Sequence, residues 1–80
     1  MNETFKQQLD GLLEKYTELL IGEGTEENKE KVKAWILYNH IAKSMPPLAQ
    51  HWNQTYPDAK ENIMETIKEI KNMNEQKRKN

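Results

Sequence analysis

The chain contains no cysteine, which removes disulfides and thiolate metal sites from the ways a small protein can be braced. It contains no apolar run approaching the roughly 20 residues that span a bilayer. Its first residues, Met1-Asn2-Glu3-Thr4-Phe5-Lys6, lack the basic stretch and apolar segment of a secretory signal. These features lead to the expectation of a cytoplasmic protein. Charge of one sign is also missing. Twelve Lys and Arg stand against thirteen Asp and Glu, and the resulting net charge of −1 offers no global attraction to nucleic acid or an anionic membrane. No period-two run of β-branched residues occurs, so no strand is expected.

What remains is eighty residues, 35% hydrophobic and 31% charged. That is one domain at most, near the lower edge of independent folding. Its small core barely offsets chain entropy, so regular helix packing or self-association has to supply the difference.

The apolar residues fall at helical spacing. Phe5, Leu9, Leu12, Leu13, Tyr16, Leu19 and Leu20 form one stripe of a first helix over 4–21. Gly11 lies nearly opposite that stripe, as a surface glycine or a point of close backbone approach. Gly22-Glu23-Gly24 ends the helix, since glycine takes the left-handed C-cap conformation without a Cβ clash. Thr25 then reads as an N-cap, with Glu26 and Glu27 at the positive end of the next helix dipole.

The second helix runs to about Ser44. Trp35, Tyr38, Ala42, Met45, Ala34 and Ile41 form its main apolar sector, flanked by Leu37, Val32 and Ile36. Lys29, Lys33, His40 and Lys43 fill a polar arc. So wide an apolar face marks this helix as the central element. Pro46-Pro47 stops it and suits the start of a short helix over 47–55, where Leu48, Trp52 and Tyr56 are four apart. After Tyr56-Pro57, Asp58 and Glu61 resemble a capping box. Ala59, Ile63, Ile67, Ile70 and Met73 then form the narrow stripe of a last helix. The expected organisation is a single helical domain over 1–74 with a polar, basic tail over 75–80. The fold class is all-α: a compact antiparallel bundle of three long helices plus one short helix.

Candidate chemistry is sparse. His40 and His51 are eleven apart across the Pro-Pro break and match no zinc spacing, so both read as surface histidines. The carboxylates alternate with lysines; Glu27 with Lys31 and Glu75 with Lys79 have the ion-pair spacing of a solvated face. Ser44 suits a helix end better than a nucleophile. The glycines form no phosphate-binding loop. No catalytic residue, metal or cofactor is expected, and the cations of the tail are too few to hold nucleic acid. Asn39 stands at the edge of the second helix's apolar sector, either as a wet rim residue or as a buried polar group fixing register.

The aromatics Trp35, Tyr38, Trp52 and Tyr56 flank the proline break and serve either as core or as a partner-binding patch. The preferred reading is a non-enzymatic protein-interaction module, a homodimer or the partner of another protein, with Trp35, Ile36, Leu37, Trp52 and Tyr56 as its interaction residues. The alternative is a small ligand-binding protein or enzyme with a pocket near the Trp/Tyr/His cluster.

Three segments carry a resemblance: residues 8–16 (QLDGLLEKY), 34–40 (AWILYNH) and 45–48 (MPPL). Together they resemble the YusU-like family of small uncharacterised proteins from Bacillus and its relatives. The resemblance implies a cytoplasmic protein of unknown function and supplies no catalytic residues.

Overall fold

The computed structural model describes residues 2–79. Four helices follow one another: α1 (Glu3–Ile21), α2 (Glu26–Ser44), α3 (Pro46–Thr55) and α4 (Pro57–Lys79). Among the described residues there is no strand. The expected all-α fold, with three long helices and one short one, is what the chain adopts.

Local chemistry sets each boundary. Asn2 accepts a hydrogen bond from the Phe5 N–H at 2.7 Å and caps α1. Gly22 closes that helix at φ 104°, in the region that favours glycine. Thr25 caps α2 by accepting from the Asn28 N–H at 3.1 Å. Met45 and Tyr56 each precede a proline, and both leave helical geometry, at φ −147°, ψ 68° and φ −128°, ψ 74°. The short helix starts at Pro46, one residue earlier than the spacing suggested. Pro57 opens α4, so Asp58 sits inside its first turn rather than at the cap, where its charge still favours the helix dipole.

Lys29 of α2 reaches Asp10 and Glu14 of α1, so the start of α2 lies beside the middle of α1. Lys31 meets Glu69, while Ile63 lines one groove with Leu37 and Ile41, which makes α4 antiparallel to α2. Both α2 and α4 pack against every other helix, whereas α1 and α3 do not meet. The central role expected of α2 is therefore shared with α4.

The core is small. Ile21, Val32 and Ile70 are buried together, with Leu13, Leu20, Trp35 and Met73 half-buried around them. Ala49 and Ile63 are buried nearer α3. Two faces differ from the expectation. Helix α1 turns Leu13, Thr17, Leu20 and Ile21 inward and leaves Phe5, Leu9, Leu12, Tyr16 and Leu19 exposed. Helix α2 buries Val32 and Lys29 most deeply, although Lys29 was placed on the polar arc. In both cases the face against the rest of the chain lies to one side of the apolar sector read from spacing.

The close backbone approach is at Gly24, not Gly11. A Cβ on Gly24 would stand 2.7 Å from the Glu14 carbonyl oxygen, while one on Gly11 would meet nothing within 4 Å. Helix α4 continues past Met73, where its apolar stripe ends, through Lys79. Asn74 donates to the Leu20 carbonyl at 2.7 Å, and the Lys77 ammonium donates to the Leu19 carbonyl. Those polar contacts satisfy two of the carbonyls left open at the end of α1.

Candidate functional site

Three of the aromatic residues singled out in the sequence come together and one does not. The Tyr38 and Trp52 rings lie 5.7 Å apart at 51°, and Trp52 and Tyr56 lie 6.4 Å apart at 57°, both tilted arrangements that suit aromatic quadrupoles. The register follows from α3 itself: its four-residue spacing stacks Leu48, Trp52 and Tyr56, and the break at Met45 folds that stripe back against α2. The Tyr38 hydroxyl donates to Asn53 Oδ1 at 3.2 Å, tying α2 to α3. Trp35 is elsewhere, packed on the Ile21, Val32 and Ile70 core.

Between α2 and α3 lies an apolar groove of about 300 Å³, floored by Ala49 and Ile63 and walled by Leu37, Ile41, Leu48 and Trp52. Leu37 is 61% exposed and Leu48 46%, so the groove is shallow and open along its rim. Tyr38 brings the hydroxyl, and that hydroxyl is already engaged by Asn53. Nothing charged lines the groove, so what it can do is accept apolar side chains by shape. Ile36, 42% exposed, is not among its lining residues; Tyr56 extends the aromatic row beyond it.

The candidate polar groups are dispersed. His40 is exposed, and Ser44 Oγ donates to its carbonyl at 2.7 Å, a helix-end bond. His51 is exposed, its Nε2 3.5 Å from Thr55 Oγ1. Asn39 is half-buried. Among the described residues no three His, Asp or Glu side chains are grouped to hold a metal ion. A depression lined by Lys71, Asn74, Glu75, Arg78 and Lys79 is the polar flank of α4 alone.

One charged centre was not legible as such in the sequence. Lys29 is 2% exposed, and its ammonium meets Glu26 at 2.7 Å, Asp10 at 3.0 Å and Glu14 at 3.8 Å. The hydrogen bonds it donates to Glu26 and then to Asp10 raise its pKa above the ordinary lysine value, outweighing the opposing effect of burial. A lysine held as ammonium is neither a nucleophile nor a base near neutral pH. Its neighbour Lys31 is likewise raised, chiefly by the hydrogen bond to Glu69 at 2.9 Å. The signal available in sequence was Asp10 and Glu14 one turn apart on α1; Lys6, four residues before Asp10, pairs with Glu3 instead.

The chain is 68% identical over 75 residues to the uncharacterised protein YusU of Bacillus subtilis (strain 168), covering 94% of this chain and 79% of that relative. No solved structure matches the chain. Residues 3–80 match the family model described as protein of unknown function, DUF2573, and it is to this family that the chain belongs.

Proposed function

We propose that this protein is a non-enzymatic interaction module that self-associates and receives an apolar segment of a partner protein in the groove between α2 and α3. The observation that carries the partner half is the groove itself: uncharged, open along its rim, and walled by Leu37, Leu48 and Trp52. Exposed aliphatic side chains beside a tilted aromatic row are the elements on which hot-spot anchors pack. The dispersal of His40, His51 and Ser44, and the charge held on Lys29, support the non-enzymatic part of the reading. The near-neutral charge balance supports a protein partner over nucleic acid or an anionic membrane, and the cysteine-free composition supports a cytoplasmic setting.

The test is affinity capture from the native cell with wild-type protein and with Leu37→Glu. A partner retained by the wild type and lost from the variant is the expected result. Capture that is indifferent to Leu37→Glu removes the groove from the proposal.

A second reading is favoured by one observation. A volume of about 300 Å³ lies at the lower end of the range for small-molecule pockets, so a compact apolar ligand would also fit. Native mass spectrometry of the purified protein separates the two readings, because a co-purifying small molecule adds a fixed mass that Leu37→Glu removes.

A further inference from the structure

We infer that the outward face of α1 is the surface on which a second copy of this chain docks. The inference rests on the self-association half of the reading above and deepens it by naming the face.

Phe5, Leu9, Leu12, Tyr16 and Leu19 are separated by steps of four, three, four and three residues. That alternation is the seam of a helix that pairs with another helix, and it is kept over nearly the whole of α1. All five side chains are 40–66% exposed. The helix meets the rest of its own chain through a different set, Leu13, Thr17, Leu20 and Ile21, roughly 100° further round the axis. Thus α1 has two apolar faces, and its own fold covers one. The wild-type sequence places no charge within the outward seam; Lys15, its neighbour on the solvent flank, is paired with Glu18 at 3.5 Å.

The size of the molecule states what is missing. Its accessible surface is 6271 Å², whereas a compact monomer of this mass exposes about 5,000 Å². Its radius of gyration is 14.2 Å, against about 12 Å for a compact domain of this length. The molecule is a slab, 39 × 35 × 20 Å. The excess of about 1,200 Å² per chain is more than the roughly 800 Å² that each partner of a standard interface buries, so the chain has surface to spare for one. The seam contributes roughly 100 Å² per side chain, on the order of 500 Å² per protomer before flanking residues are added. A dimer reaches the working threshold for a stable interface.

The occupant follows from constancy. A chain whose isolated surface is this large needs its cover at all times, and the partner present whenever the chain is made is another copy. A coiled-coil seam is self-complementary, as a two-fold interface requires. An anionic membrane is a poor occupant, because α1 carries four acidic residues (Glu3, Asp10, Glu14, Glu18) against two basic ones (Lys6, Lys15).

Sedimentation velocity over a micromolar concentration series tests the assignment on three proteins: wild type, Leu12→Glu on the seam, and Leu37→Glu in the groove. The expected result is a dimer for the wild type and for Leu37→Glu. Leu12→Glu should weaken association by about 30-fold or more, the effect of losing a central anchor, while circular dichroism shows that it remains helical. Should Leu12→Glu fail to fold, a single cysteine at Gln8, beside the seam, gives the second reading, since the natural chain has no other thiol. A bismaleimide should join two Gln8→Cys copies and leave Gln50→Cys copies, on α3, unlinked. A dimer broken by Leu37→Glu but not by Leu12→Glu keeps self-association and overturns the α1 assignment. A folded wild-type monomer throughout the series overturns both, and binding of that monomer to anionic lipid vesicles would give the seam to a membrane.

Discussion

A side-chain carbon on Gly24 would stand 2.7 Å from the carbonyl oxygen of Glu14 and 2.9 Å from its Cγ, so the α1–α2 connection rests directly on the middle of α1. Only a residue without Cβ allows that approach. Gly24→Ala should therefore destabilise the protein by about 1–3 kcal/mol, the usual range for overpacking. Gly11→Ala, in open space within a helix, should stabilise it by about 0.5–1 kcal/mol. Urea denaturation of the two variants should move the midpoint in opposite directions.

The Lys29 centre predicts an alkaline limit to stability. The folded-state pKa of Lys29 lies above its ordinary 10.5, so the folded protein binds more protons than the unfolded chain at high pH. The stabilisation is complete below 10.5 and is lost as pH rises through the raised folded value. Lys31, raised in the same direction by Glu69, adds to the same limb. Denaturation followed from neutral to strongly alkaline pH should show a fall that is shallower in Lys29→Met. That variant is also less stable at neutral pH, because Glu26, Asp10 and Glu14 are left crowded without their cation.

Ile70 is buried against Ile21 and Val32 in a core with few members. Ile70→Ala should cost about 2–4 kcal/mol. At about 4–8 °C per kcal/mol for a domain of this size, calorimetry should show a large fall in Tm or an unfolded protein. A Tm within a degree or two of wild type would mean that the core lies elsewhere.

His40 and His51 are exposed, and Ser44 and Thr55, one turn on in the same helices, hydrogen-bond to them. Alanine at either position should change stability by no more than about 0.5 kcal/mol. Metal analysis of the purified protein should give the same zinc content for wild type and both variants; stoichiometric zinc lost on substitution would reopen a metal site.

Helix boundaries were legible because they depend on local chemistry. Gly22, Thr25, Pro46 and Pro57 act through φ, capping oxygens and missing N–H groups, and each works at the position where it stands in the sequence. Which face of a helix the chain covers is not local. The spacing of Phe5, Leu9, Leu12, Tyr16 and Leu19 defines an apolar direction for α1 without saying what meets it, and α2 and α4 take the neighbouring face. Lys29 was hidden for the same reason: Glu26 on its own helix is a local partner, but the placement of Asp10 and Glu14 opposite, which helps make its burial tolerable, is tertiary. The groove was half-visible. Four-residue spacing brought Trp52 and Tyr56 into one row, but the assignment of Trp35 to the core depends on the rotation of α2, which spacing leaves open.

The Leu19 and Leu20 carbonyls in the last turn of α1 are satisfied by Lys77 and Asn74, more than fifty residues downstream. Protein synthesis delivers the chain from its first residue onward, so α1 leaves the ribosome with its finishing partners not yet made. Until α4 has emerged, those carbonyls have only water, and the inward face made by Leu13, Leu20 and Ile21 has only α2 to rest against. Of the four helices, the earliest made is thus among the last to be secured, and its outward seam is available to another nascent or finished copy before its own fold has closed.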